Sequence, residues 1–352
     1  MVLHRHHEAF SDIGFVVLLI VMLVFQAAAP SGSVSAADPS SVWHLLSQKA
    51  RNISYTDAAT DGKVVVNVGT RGAVALTSDL VHWEPIEQFT SKDLYGVCRG
   101  NGMYVAVGDE GTLFTSTDAR TWTERLVPGD LSLASIAFGN GAYVAVGLGG
   151  GIVRSSDGAE WTPVTAPVDK NLYDITFGSG RFVAVGQDGA IVTSVDGLTW
   201  EDRTVSSETD LYGVAWGKDK YVTAGGASVI LSSPDGAVWT RQTAAFEDLT
   251  FAAVTYADGA FVLAANHDAI RQISDVPTRW VVFYFRSVDG TSWQKMTWQG
   301  KPMSGSVPAG CAACCGRAHS WFPSGTTVQP RRRRMACGGQ IARPQEMRSL
   351  WV

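Results

Sequence analysis

One short phrase returns along this chain at a fixed interval. Written S/T-x-D-x-x-x-W, it stands at Thr77/Asp79/Trp83, Ser116/Asp118/Trp122, Ser155/Asp157/Trp161, Ser194/Asp196/Trp200, Ser233/Asp235/Trp239 and Ser287/Asp289/Trp293. The first five tryptophans are each 39 residues apart. A period of that size means that each unit packs on copies of itself. Most of the 352 residues therefore belong to one array rather than to unrelated domains.

The stretch 172–203 shows what one unit contains. Leu172-Tyr173-Asp174-Ile175-Thr176-Phe177 alternates as a strand, and Gly178-Ser179-Gly180 turns it back. Arg181 to Val185 is apolar and β-branched, Gly186-Gln187-Asp188-Gly189 is a hairpin connection, and Ala190 to Ser194 is a third strand. The box then turns the chain into a fourth strand at Trp200. Four short antiparallel strands in about 39 residues form one blade of an all-β propeller. The second strands echo one another as Tyr104-Val105-Ala106-Val107, Tyr143-Val144-Ala145-Val146 and Phe182-Val183-Ala184-Val185. Such continuous apolar runs suit strands covered on both faces.

The array, residues 42–300, is expected to hold six to seven four-stranded blades, the last incomplete. Trp43 stands 40 residues before Trp83, so Val42 to Ser47 reads as a lone fourth strand completing a blade begun at the C-terminal end. There two alignments compete, because Trp239 and Trp293 are 54 apart. Either residues 264–280 are an enlarged loop between second and third strands, or Ser274 and Trp280 form a degenerate sixth box and the last box belongs to a seventh blade. The second is favoured because Asp268-Ala269-Ile270 falls where Asp188-Gly189-Ala190-Ile191 does.

The ends are unlike the array. An apolar run from Ile13 to Phe25, followed by small residues up to Val34-Ser35-Ala36, reads as an export signal over residues 1–36, or as a membrane anchor if uncleaved. That places the protein outside the cytoplasm, secreted or on the cell surface. Residues 301–352 carry eight basic side chains and one acidic, so the formal charge of −5 leaves residues 1–300 at −12. An acidic array lacks the basic face that nucleic acid requires. The tail shows neither strand alternation nor the period, and reads as disordered or frame-shifted. Four of the five cysteines lie in it, but its single C-x-x-C, with His319 and Cys337, fits no common zinc module, so no metal or other cofactor is expected.

A box acid can accept hydrogen bonds from turn N–H groups, the serine or threonine adds a local acceptor, and the tryptophan supplies apolar surface between blades. Asp79, Asp118, Asp157, Asp196, Asp235 and Asp289, with Trp83, Trp122, Trp161, Trp200, Trp239 and Trp293, are therefore structural residues. Equal losses of stability are expected on truncating Trp122, Trp161 and Trp200. The repeats resemble the Asp-box (BNR) repeats of the sialidase superfamily and of related secreted seven-bladed propellers, including the photosystem II assembly factor type. The usual S-x-D-x-G-x-T-W differs from Asp157-Gly158 and its counterparts, where glycine directly follows the acid and a shorter turn is expected. The resemblance implies that the boxes lie away from the ligand and that a ligand sits over the opposite mouth of the channel.

That mouth is built from second-to-third-strand turns and from fourth-to-first-strand loops. It offers Arg71, Glu110, Asp188, His267 and Asp268 as candidate ligand-binding residues, with Asp93, Asp109 and Asp210 nearby. Tyr95, Tyr173 and Tyr212 share one repeat position, which argues for packing between blades more than for contact with a sugar. Cys98 falls at a small, core-facing position. Sialidase-type hydrolysis would need three arginines around a carboxylate, a tyrosine nucleophile paired with a glutamate, and an acidic residue. No such set assembles from Arg71, Arg120 and Arg154. The expected function is non-enzymatic binding of a protein or glycan, with membrane contact only through an uncleaved N-terminal segment; the alternative is a secreted sialidase-like glycoside hydrolase.

Overall fold

The computed structural model describes residues 53–302, apart from positions 81, 130, 206–208, 243–248, 268–281 and 299–300. The expectations for residues 1–36, for Val42 to Ser47 and for the tail beyond 302 lie outside the described residues. In blade 4, the strands Leu172–Gly178, Arg181–Gly186, Ile191–Ser194 and Glu201–Asp202 hydrogen-bond in chain order as an antiparallel meander. Six such four-stranded sheets follow one another, with first strands at Tyr55–Thr60, Leu94–Gly100, Leu133–Gly139, Leu172–Gly178, Leu211–Gly217 and Leu249–Ala257. The first strands pack side by side in that order and together line a central cavity. The protein is an all-β, six-bladed propeller.

The sixth blade decides between the two alignments, and against the favoured one. Its second strand, Ala260–His267, pairs with Val282–Ser287, and Phe261 lies opposite Ser287. Phe182 faces Ser194 and Tyr221 faces Ser233 in the same way. The box serine fixes the register of the third strand, so residues 268–281 are an enlarged connection within one blade. Ser274 and Trp280 fall inside that connection, outside the described residues. The sixth blade is complete, ending in Gln294–Lys295, and a short ladder of Thr297–Trp298 with Lys301–Pro302 follows it.

Side-chain alternation explains the apolar second strands. In blade 4, Phe182 and Ala184 pack with Val144, Val146 and Ile152 of blade 3, whereas Val183 and Val185 pack with Tyr221 and Leu231 of blade 5. A period of two with both faces covered gives a run without polar gaps. The last glycine of the first strand completes the joint in blades 2 to 5. A Cβ on Gly100, Gly139, Gly178 or Gly217 would lie 2.0 Å from the ring of Phe138, Phe177, Trp216 or Tyr256 in the next blade. Those rings in turn pack on Tyr143, Phe182, Tyr221 and Phe261, with centroids 4.4–4.8 Å apart. Two of these joints are also pinned by a hydroxyl, since Tyr143 donates to the Gly100 carbonyl and Tyr221 to that of Gly178.

Candidate functional site

The box turns stand at one end of each third strand and the second-to-third-strand turns at the other, so the two sets occupy opposite faces. On the box face each acid ties its own corner. Asp157 Oδ1 accepts the N–H groups of Ala159 and Glu160 at 2.8 and 3.1 Å, while Ser155 Oγ accepts that of Gly158 at 2.7 Å. Trp161 Nε1 donates to the Gly158 carbonyl at 3.0 Å. Asp118, Asp196, Asp235 and Asp289 repeat the arrangement, and Asp79 accepts from the His82 N–H. The turn N–H groups hold the carboxyls of Asp118, Asp157, Asp196, Asp235 and Asp289 below the usual range, Asp118 at about 2. Gly158, Gly197, Gly236 and Gly290 sit at φ of 72 to 76°, the left-handed corner this shorter turn requires. Leu80 and Ala119 take the same corner in the first two boxes, at φ of 62 and 60°.

The indoles are less uniform than the motif. Trp161 and Trp200 are 4% and 8% exposed, whereas Trp83, Trp122, Trp239 and Trp293 are only half-buried. The expectation of equal cost at Trp122 is corrected accordingly, because Trp122 shares its space with a stacked Phe89, 5.7 Å away, instead of being enclosed.

On the opposite face, Arg71, Glu110 and Asp188 occupy equivalent left-handed corners of tight turns, with φ of 58, 48 and 51°. Their main-chain N–H groups are latched to the next blade: Arg71 to Asp93 Oδ1 at 2.7 Å, Glu110 to Ser132 Oγ at 3.3 Å, and Asp188 to Asp210 Oδ1 at 3.0 Å. Gly149 makes the same contact with Asn171 Oδ1 at 2.8 Å. The side chains of Arg71, Glu110 and Asp188 thus share one face of the propeller and are brought together only as a ring of turn tips. His267 ends the second strand of blade 6, and Asp268 lies outside the described residues.

Between these faces runs a cavity of about 370 Å³ lined by the first strands of all six blades. Tyr95, Tyr173 and Tyr212 border it. Their shared repeat position therefore belongs to the channel wall, where Tyr173 also keeps the expected packing of blade on blade. The β-bulge near the start of each first strand is the physical reason, because it shifts the side-chain alternation there. Tyr173 and Tyr212 stack with centroids 5.7 Å apart, and their hydroxyls lie 3.4 and 3.5 Å from Asp210 Oδ2. Burial, with Asp109 and Asp93 adding to it, raises the Tyr95 hydroxyl, and burial with Asp210 does the same for Tyr173.

Deeper in the wall stand two acids that the sequence reading did not single out. Asp57 Oδ2 accepts the Val97 N–H at 2.8 Å, and Asp174 accepts from Val214 N–H and Ser135 Oγ, both at 2.8 Å. Each thereby clips its blade to a neighbour at the bulge. Both border the cavity and are half-buried in its wall. Burial raises Asp57 to about 7, with a further contribution from Asp174, and raises Asp174 to about 6. The aligned series Asp57, Gly96, Ser135, Asp174, Gly213, Ala253 was the available signal, since acids interrupt a position otherwise held by small residues. Cys98 is partly buried beside this wall, and burial raises its thiol. Among the described residues no group of three His, Cys, Asp or Glu is placed to hold a metal ion.

Solved structures show the same architecture. YCF48 bound to D1 peptide superposes with a TM-score of 0.53 at 18% identity, over 69% of this chain and 80% of that one. The virginiamycin B lyase from Staphylococcus aureus gives 0.60 at 13% identity, over 72% and 87%. YCF48 from Cyanidioschyzon merolae gives 0.52 at 15%, over 69% and 84%. At these identities the likeness concerns the fold alone. No family model matches the sequence, and no curated protein is significantly similar to it.

Proposed function

We propose that this chain is an exported, extracytoplasmic binding protein of Asp-box type whose propeller recognises a protein segment or a glycan at the channel mouth, in a scaffold or assembly role. The observation that carries this reading is the mouth itself, where Tyr95, Tyr173 and Tyr212 border one cavity beside Asp93, Asp109 and Asp210. Concave sites with aromatic walls and a few convergent polar groups are where small ligands and side chains are held. YCF48, a propeller of the same build, binds a D1 peptide, which supports a protein ligand. Export rests on the apolar run from Ile13 to Phe25 and the small residues after it. The hydrolase alternative has less support, because the oxygens of Asp57 and Asp174 are engaged by strand N–H groups and the Ser135 hydroxyl.

The test is to probe the full chain on arrays of peptides and glycans and to compare variants of the two faces. Tyr95→Ala and Tyr212→Ala are expected to weaken the captured ligand at least tenfold, while Asp157→Asn on the box face leaves it unchanged. Ligands held equally by all three variants would refute a site at the mouth.

A further inference from the structure

Building on the binding reading, we infer that the channel mouth is a receptor for a cationic side chain, arginine or lysine, presented by a peptide. The first ground is the charge of the wall. Its ionisable members are Asp57, Asp174 and tyrosines, and among the described residues lining the cavity there is no lysine, arginine or histidine. Two lysines that precede the wall tyrosines are engaged at the rim: Lys92 pairs with Glu110 at 2.7 Å, and Lys170 donates to the Asp188 carbonyl at 3.3 Å. An anionic ligand entering this space would meet carboxyl groups and no cationic side chain, whereas a cation would meet complementary potential in a low-dielectric recess.

The second ground is the placement of the tyrosines. They occur in blades 2, 4 and 5, while the same register position in blades 1, 3 and 6 holds Thr56, Ala134 and Ala252. Aromatic surface thus covers three blades' share of the wall, and the small side chains of the other three leave room between. Each tyrosine has a carboxylate beside it, Asp210 for Tyr173 and Tyr212, and Asp93 and Asp109 for Tyr95. An aromatic face with a nearby carboxylate suits a guanidinium or ammonium, which is drawn to the ring quadrupole. A cavity of about 370 Å³ holds such a side chain and excludes a folded domain, so the cation must arrive on an extended segment or at a chain end.

The full chain would be titrated calorimetrically with Ac-Gly-Arg-Gly-amide, its lysine counterpart, and matched peptides carrying citrulline, norleucine or glutamate. Arginine and lysine peptides are expected to bind at least tenfold more tightly than citrulline and norleucine peptides, with affinity falling as salt is added. Asp210→Asn and Tyr212→Ala are expected to reduce binding at least tenfold, and Tyr212→Phe, which keeps the ring, to reduce it less. Citrulline binding as well as arginine, preference for glutamate, or no binding of any probe at millimolar concentration would each overturn the inference. If array ligands are still lost on Tyr212→Ala in such a case, the binding reading survives and only the cation is wrong.

Discussion

A box carboxylate and its indole do different jobs four residues apart, and they respond to different tests. Trp161 and Trp200 fill enclosed spaces, so Trp161→Ala and Trp200→Ala are each expected to cost about 3–5 kcal/mol in chemical unfolding. Trp122→Ala should cost visibly less, because that ring is only partly buried. The acids divide by environment. The Asp118 carboxyl is held low, so its contribution is present above about pH 4 and is lost as pH falls through about 2. Asp57 and Asp174 are held high, so stability is fullest below about pH 4 and declines as pH rises through about 6 to 7. Urea midpoints measured from pH 4 to 8 should show that decline, and Asp57→Asn should make it shallower.

At the scale of the strand, the joints between blades rest on missing side chains. Gly178→Ala would drive a methyl into the Trp216 ring and is expected to cost about 1–3 kcal/mol or more. Gly180→Ala, in the hairpin two residues on, meets open space at φ of 75° and should cost only the backbone strain, about 1–2 kcal/mol. Comparing the two by thermal unfolding separates contact from conformation. Strands and turns were legible in the sequence because alternation, glycine pairs and the box recur in step. The bulge was not, since nothing in Leu172-Tyr173-Asp174 announces a register shift, and that shift is what lets Tyr173 border the channel while it packs on Tyr212 of the next blade. The sixth blade was misaligned for a related reason. A local match at Asp268-Ala269-Ile270 outweighed the register of Ser287, although pairing across the ladder, not local likeness, sets where a strand belongs.

Across the whole molecule, protection should fall from axis to rim. Fourth strands such as Glu84–Pro85, Glu201–Asp202 and Thr240–Arg241 are two residues long and exposed, a form that blunts an open edge. Hydrogen exchange is expected to be slowest in the first and second strands and fast in these. Among the described residues, buried polar atoms without partners occur on Asn67 and Trp83 in blade 1, Tyr104 in blade 2, Arg203 in blade 4 and Trp293 in blade 6. Asn67 is 1% exposed and stands where the next three blades have Ala106, Ala145 and Ala184. Asn67→Ala is therefore expected to raise stability by about 1 kcal/mol in denaturant titration.

The recurrence of glycine under ring has an evolutionary corollary. A unit whose two flanks were each shaped for a sibling can be exchanged for one: transplanting the whole of blade 3 into the place of blade 4 preserves every contact of this kind. Lineages built this way can vary the tips that meet a ligand, unit by unit, without renegotiating how the units fit.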